Sequence, residues 1–268
     1  MSNGPPKDWN DRDAWDRHFE AELSEGRILA DPDPIIRRFL SYAREKGGRI
    51  WFPGCGLDLY PKTYAEQGCR VLATDFSSVA VRVQQHLAEA FLGHKDSTRT
   101  EGTFDVLEHD FTQNPPGGEF DLVINCRAFQ GLSPTAMRAA AGNFHAALRV
   151  GGACIIDTIN VQGNDRNLIE DSLVFAGFYL PFLESQRRFQ AQLDSTGIIY
   201  EMVLGRPLIP ARDQYPPERF EQFRERDQEI LDSLQDEFER ECQEEADKVK
   251  DVVNDPATIV AHVVYATG

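Results

Sequence analysis

Arg49-Ile-Trp-Phe-Pro-Gly-Cys-Gly-Leu-Asp58 and Arg70-Val-Leu-Ala-Thr-Asp75 are the stretches on which the reading of this chain turns. The first opens as a short apolar strand and breaks at two glycines spaced G-x-G, Gly54 and Gly56. Glycine adopts backbone angles that a Cβ forbids, and it lets the main chain approach a ligand closely. A helix follows to about Gln67. The second stretch is a strand again, and it ends in a carboxylate, Asp75, 19 positions after Gly56. Strand, glycine turn, helix, strand and terminal acid open a nucleotide-binding βαβ unit. In such units the ligand lies at the carboxyl ends of the strands and the acid accepts hydrogen bonds from ribose hydroxyls.

The alternation continues downstream. Ser77 caps a helix through Leu92, Thr103 to His109 is a third strand, Asp110 to Gly118 a loop, and Phe120 to Cys126 a fourth strand. Pro134 opens a helix to Leu148, Gly151-Gly152 breaks it, and Ala153 to Ile159 is a fifth strand. Ile198 to Leu204 and Thr258 to Ala266 read as two more. The expected fold is α/β: a Rossmann-like, doubly wound, mostly parallel sheet of about seven strands, the last antiparallel, with helices on both faces. One domain, 1–268, is expected to carry an N-terminal helical cap at 9–48 and an acidic helical insertion at 206–256 before the last strand. The cap holds helices Asp11 to Gly26 and Pro34 to Lys46; Asn164 to Arg188 is a helix bent at Gly177 and Pro181. In the insertion, Phe220, Phe223, Ile230, Leu231, Leu234 and Phe238 stripe a helix from Pro216 to Val252. That stripe packs on the core or on a second subunit, making a homodimer, with a lid over the site as the sharper alternative.

Composition removes several functions. The formal net charge is −16, and the most basic runs, Arg37-Arg38 and Arg187-Arg188, are only pairs. A nucleic-acid partner would be repelled at long range. The five cysteines form no C-x-x-C pair and the six histidines no H-x-x-x-H pair, so no metal is expected. No apolar run reaches the ~18 residues of a membrane span, and the start lacks the features of a secretory signal. No membrane partner and a cytoplasmic setting follow as expectations.

The nucleoside cofactor divides between two candidates. Dinucleotide sites want G-x-G-x-x-G, but the third position is Leu59. S-adenosyl-L-methionine has no phosphate and does not need that close helix N-terminus. Asn114-Pro-Pro-Gly117 imitates the motif of nucleic-acid methyltransferases but precedes the fourth strand, where it reads as a turn.

Arg49 through Gly56, Lys62-x-x-Ala65-x-x-Gly68 and Val71 through Ser77 to Ala80-Val81 resemble the first motifs of thiopurine S-methyltransferases and related thiol and halide methyltransferases. Trp15 and Phe19, ahead of Gly26, are similar to that family's N-terminal W-x-x-x-W segment. Phe120-Asp-Leu-Val-Ile-Asn-Cys-Arg-Ala resembles its F-D-x-I-W-D-R-G-A, departing at Asn125-Cys126. The resemblance implies methyl transfer from S-adenosyl-L-methionine, leaving S-adenosyl-L-homocysteine, to a small-molecule acceptor: a thiol, a halide, or an aromatic O or N nucleophile. It implies a donor site of Trp15, Gly54, Cys55, Gly56, Asp75, Phe76, Asp110, Phe111 and Asn125, with His109 near the adenine. Gly54 and Gly56 would approach the methionine part and Asp75 the ribose, while Asn125 and Arg127 would face the sulfonium and acceptor. Arg127 and Asp110 are the expected catalytic pair, Arg127 polarising the acceptor and Asp110 taking its proton. The structural alternatives are a helix staple for Trp15 and Phe19, a loop cap for Asp110 and a surface ion pair for Arg127. The rival functions are a non-catalytic partner binding through the acidic 216–252 helix and a nucleic-acid methyltransferase.

Overall fold

The computed structural model describes residues 11–26, 34–45, 48–93, 102–159, 163–198, 201–203, 206–209, 225–255 and 257–266. The N-terminal helices are α1 (Arg12–Ser24) and α2 (Pro34–Glu45). Alternation follows with β1 (Arg49–Pro53), α3 (Tyr60–Glu66), β2 (Arg70–Asp75), α4 (Ser78–Gly93), β3 (Thr103–Glu108), β4 (Phe120–Cys126), α5 (Pro134–Ala147) and β5 (Leu148–Ile159). The remainder is α6 (Gly163–Phe175), α7 (Leu183–Ser195), β6 (Glu201–Val203), β7 (Arg206–Leu208), α8 (Glu225–Asn254) and β8 (Val260–Ala266).

Six strands form one sheet in the order β3-β2-β1-β4-β5-β8, and every pairing in it is parallel. The fold is therefore the Rossmann-like α/β architecture that the motif order implies. Two details differ from expectation. The expected strand at Ile198 to Leu204 contributes β6, which pairs with β7 in a separate antiparallel hairpin. The last strand, expected antiparallel, runs parallel to β5. The 100 residues between Ile159 and Val260 hold α6, α7, the hairpin and α8. A crossover of that length returns the chain to the amino end of the sheet, which a parallel neighbour requires.

Strand alternation sorts the core onto two faces. Ile50, Phe52, Leu122, Ile124 and Ile155 pack with Tyr64, Ala65, Ala88 and Phe91 of α3 and α4. Trp51, Val123, Cys154 and Ile156 pack with Met137, Phe144, Ile169 and Leu173 of α5 and α6. Trp51 is fully buried, and its indole N–H donates to Thr74 Oγ1 at 2.9 Å, so a polar edge enters the core without an orphaned donor. Strand order reverses between β1 and β4, and the crevice of a doubly wound sheet opens there.

The expected helix Asn164 to Arg188 is two helices. Gly177 at φ +99° and Phe182 at φ +60° turn the chain between α6 and α7. In that turn Tyr179 bridges to Val260 at the start of β8. α7 then clamps its neighbours: Arg187 reaches Glu170 (2.9 Å) and Asp171 (2.6 Å) of α6, and Arg188 reaches Glu241 of α8 at 2.9 Å. Glu170 is 1% exposed, so the Arg187–Glu170 pair carries a carboxylate into the interior with its counter-charge. Residues 216–224 of the expected insertion helix lie outside the described residues. From Glu225 on, α8 packs Leu231, Leu234 and Phe238 against Phe189 and Leu193 of α7, with Phe189 and Phe238 stacked at 4.6 Å. Among the described residues, no helix is long and apolar enough to cross a membrane.

Leu231 has no exposed surface. Leu231→Ala should lower the unfolding free energy by about 2–4 kcal/mol, the cost of removing a buried leucine and leaving a cavity. Urea denaturation reads it. A parent-like midpoint would show that α8 unfolds apart from the sheet.

Candidate functional site

The end of β1 is built by two glycines in the left-handed region, Gly54 at φ +63° and Gly56 at φ +49°. A Cβ at Gly54 would stand 2.8 Å from Ala128 Cβ and 3.0 Å from the Phe111 ring. The loops after β3 and β4 thus close on the bare backbone of Gly54. Cys55 between the glycines donates its N–H to Thr74 O at 3.1 Å. Burial pushes its thiol well up, leaving a small neutral side chain. The loop is held from behind by Gln84 of α4, whose Nε2 donates to Gly56 O (3.0 Å) and Asp58 O (2.9 Å). Sequence reasoning missed Gln84. The available signal was an amide between Val81 and Ala88 on the apolar stripe of α4, where it is fully buried.

Asp75 closes the turn. Its Oδ2 accepts from Gly56 N–H at 2.9 Å and its Oδ1 from Ser77 N–H at 2.8 Å. Burial pushes the carboxyl up to about 6 against those hydrogen bonds. Each oxygen retains a further acceptor position. Phe76 follows, half-buried.

α1 lies across these strand ends. Asp11 caps it by accepting from Ala14 N–H at 2.9 Å. Asp16 accepts from the Ser77 hydroxyl, from Ser78 Oγ (3.0 Å) and from Val79 N–H (3.4 Å), and so caps the first turn of α4. Burial opposes the Asp16 charge, but those donors hold its carboxyl below the ordinary range. Arg12 pairs with Glu108 at the end of β3. A Cβ at Gly56 would touch the Phe19 ring at 3.4 Å, and Trp15 lies 5.2 Å from Phe19. Phe19 is therefore seated on the glycine turn, with Trp15 packed against it from one turn earlier in α1.

The expected acceptor-side residues divide. Asp110 is engaged by its own loop: Oδ1 accepts from Thr112 N–H (2.9 Å) and Thr112 Oγ1 (2.7 Å), and Oδ2 from Gln113 Nε2 (2.9 Å). A carboxylate so engaged caps its own loop. His109 Nε2 lies 2.7 Å from Asn114 O. Phe111 is buried against Gly54 and Phe144. Asn125 is fully buried, donates from Nδ2 to Pro53 O (3.0 Å) and accepts at Oδ1 from Phe129 N–H (2.9 Å). Its amide fastens β4 to β1 at the switch point.

Arg127 stands in the crevice with φ +60°, a left-handed angle that costs a residue bearing a Cβ about 1 kcal/mol or more. Its N–H donates to Asp157 O at 2.8 Å, and its Nε lies 3.8 Å from Asp157 Oδ2. Asp157 is 2% exposed, so the half-exposed Arg127 side chain reaches inward to a buried carboxylate. Burial opposes the Arg127 charge, but Asp58, Tyr60 and Asp157 offset it and raise the guanidinium above its ordinary value. Burial also pushes Asp58 up to about 7, with Arg127 working against that rise and Asp157 and Asp75 adding to it. Asp58, which sequence reasoning quoted but gave no role, is thus brought together with Arg127.

A left-handed glycine turn locked to an acid on the next strand, beside a switch point, defines a nucleoside-type crevice in a Rossmann-like protein. The chain belongs to the thiopurine S-methyltransferase family, whose model matches residues 10–165. It is accordingly a methyltransferase, and S-adenosyl-L-methionine is its methyl donor. Similar solved structures include magnesium protoporphyrin IX methyltransferase from Synechocystis with bound SAM, 16% identical over 55% of this chain and 74% of that one, TM-score 0.42. A TehB-like SAM-dependent methyltransferase from Corynebacterium glutamicum is 20% identical over 58% of this chain and 83% of that one, TM-score 0.44. No protein of curated function matches the chain in sequence.

Gly54→Ala places a methyl group where Ala128 and Phe111 already stand. It should destabilise the protein by about 1–3 kcal/mol, the cost of overpacking, and weaken donor binding in parallel. Thermal unfolding with and without S-adenosyl-L-homocysteine measures both, and unchanged values would remove the close packing argued for this turn.

Proposed function

We propose that the chain moves the donor's methyl group onto a small-molecule nucleophile bound beyond the carboxyl ends of β1, β4 and β5. Acceptors of this class are a thiol, a halide, or an aromatic O or N group. The observation that carries the reading is Asp75, which accepts from Gly56 and Ser77 on different oxygens at the end of β2 and has acceptor capacity left for the ribose. On this reading Gly54, Cys55 and Gly56 present bare main chain to the methionine part. Trp15, Phe76 and Phe111 flank the nucleoside, and Asp110 shapes the loop that carries Phe111. The 9–48 segment caps the crevice through α1, and α8 of the 206–256 insertion braces α7.

A sulfonium methyl is already activated, so the protein's task is alignment and exclusion of water during an in-line displacement. Arg127 orients or polarises the acceptor. Its strained backbone supports that reading, since a left-handed non-glycine residue persists only where its surroundings impose it. The net charge of −16 favours a small acceptor over a nucleic acid.

Calorimetry tests the donor site. S-adenosyl-L-homocysteine should bind in the micromolar range, about −8 kcal/mol, and NAD no better than millimolar; the reverse order would overturn the site. Asp75→Ala should weaken binding by about 1.5–3 kcal/mol, the worth of hydrogen bonds to a charged acceptor.

The same titration has a pH dependence of definite sign. Asp75 takes up its proton as pH falls through about 6, and a neutral acid is the poorer acceptor. Affinity should be flat above pH 7 and fall about tenfold between pH 7 and pH 5. A flat profile would leave Asp75 without ribose contacts.

Arg127→Ala and Arg127→Lys should keep parent-like affinity for S-adenosyl-L-homocysteine while losing transfer, the Ala variant by about 10²-fold. Single-turnover methylation of thiols, halides, phenols and amines reads it. Parent-rate turnover by the Ala variant removes Arg127 from the mechanism.

A further inference from the structure

We infer that Asp58 is the group that takes the proton from the methyl acceptor, so that the site is built for an acceptor bearing an acidic X–H rather than for a halide. The inference rests on the small-molecule methyl transfer proposed above and names the acceptor class within it. Its first support is the contrast among the acids of this region. Asp16, Asp75 and Asp110 each accept two or three hydrogen bonds, from backbone N–H groups, hydroxyls or an amide. Among the described residues, no donor hydrogen-bonds the Asp58 carboxylate. Its residue is half-buried.

Its main chain, by contrast, is fixed. Asp58 N–H donates to Cys55 O at 3.1 Å, and its carbonyl accepts from Gln84 Nε2 at 2.9 Å. A side chain free of hydrogen bonds on a pinned backbone suits a group that must gain and lose a proton in place. The surroundings suit it as well. The charged or titratable groups facing it are Arg127 after β4, Asp157 of β5, Asp75 of β2, and the neutral Cys55 thiol on its own loop; Tyr60 faces Arg127. Burial and the two aspartates favour the protonated form and Arg127 the ionised one, with balance near 7. A general base works best when its pKa lies near the working pH. Asp110, to which sequence reasoning gave this proton, already accepts three hydrogen bonds.

The step balances. Asp58 carboxylate takes H⁺ from X–H as the X lone pair bonds to the methyl carbon. The carbon–sulfur bond breaks with its electron pair staying on sulfur, giving X–CH₃, the thioether product and a neutral Asp58 acid. That acid then returns its proton to solvent. A halide has no proton to give and would leave Asp58 idle.

The test uses the full chain with phenol, 2-mercaptoethanol and iodide as probes, and S-adenosyl-L-homocysteine affinity as the check on folding. For phenol, parent kcat/KM should rise with pH through about 7, because the ionised base is the active form. Asp58→Asn should lose about 10²-fold toward phenol and the thiol, the scale of one general base. The limb near pH 7 should vanish while S-adenosyl-L-homocysteine affinity stays within about threefold, and Asp58→Glu should restore the limb. Parent-like rates in Asp58→Asn, a parallel loss of S-adenosyl-L-homocysteine affinity, or a parent that methylates iodide alone would each overturn the inference. A parent that binds S-adenosyl-L-homocysteine but methylates none of the probes would remove the small-acceptor reading, and this inference with it.

Discussion

The carboxylate of Asp75 is the interaction on which the rest of the site hangs. Parallel strands stop hydrogen-bonding at their ends, and a loop with two left-handed residues has little of its own to hold it. Asp75 supplies the missing bonds: one oxygen takes Gly56 N–H from the β1 turn, the other takes Ser77 N–H at the start of α4. From there the constraint travels. The same first turn of α4 receives Asp16, which fixes α1, and α1 sets Phe19 against Gly56. Three residues of α4 further on from Val81, Gln84 reaches back to the loop carbonyls. The circuit closes on itself, so a buried charge organises a turn, a helix start and a covering helix together. Its cost is visible in the raised Asp75 carboxyl, because these backbone donors do not replace the water it loses.

The carboxyl ends of the central strands carry charge in an uneven pattern. Asp58 and Asp157 flank one guanidinium, Arg127, and Asp75 lies beside Asp58. On the proposed reading this suits a donor whose sulfonium is positive before transfer and neutral after it. A purely negative crevice would stabilise the charged donor most in its ground state, which slows transfer. Arg127 tempers that field on the side where β4 and β5 open, and the product, lacking the cation, is held less strongly than the donor.

Much of this was legible in the chain, for identifiable reasons. The G-x-G turn and the terminal Asp75 reveal themselves because left-handed backbone and the bond from Gly56 N–H to Asp75 each demand one residue type at one spacing. Arg127 followed from its place after an apolar strand. Asp110 and Asn125 are ambiguous in the sequence because a short polar side chain at a strand end serves equally as ligand contact or as backbone strut. Only the positions of Thr112, Gln113, Pro53 and Phe129 decide between the two. Gln84 and Asp157 were hidden for the opposite reason: their partners are distant in sequence. The direction of β8 was hidden as well, because strand orientation depends on the path of the connection and leaves no periodicity in the strand itself.

That connection has a temporal side. β1 meets β2, and β4 meets β5, across a few tens of residues, whereas Ala153 finds Val260 only after the whole of α6 to α8 has been made. Loop closure of that span must precede any reward from the pairing. β5, its residues from Ala153 to Thr158 fully apolar-packed or buried in the finished sheet, must therefore wait as an open edge while the rest assembles. Tyr179 exchanges backbone hydrogen bonds with Ile259 and Ala261 on either side of Val260, and so helps guide the latecomer into register. β8 thus arrives late to cover β5 and becomes the sheet's edge in its place, and until it docks the buried residues of β5 stand at an open edge ready to pair with another copy.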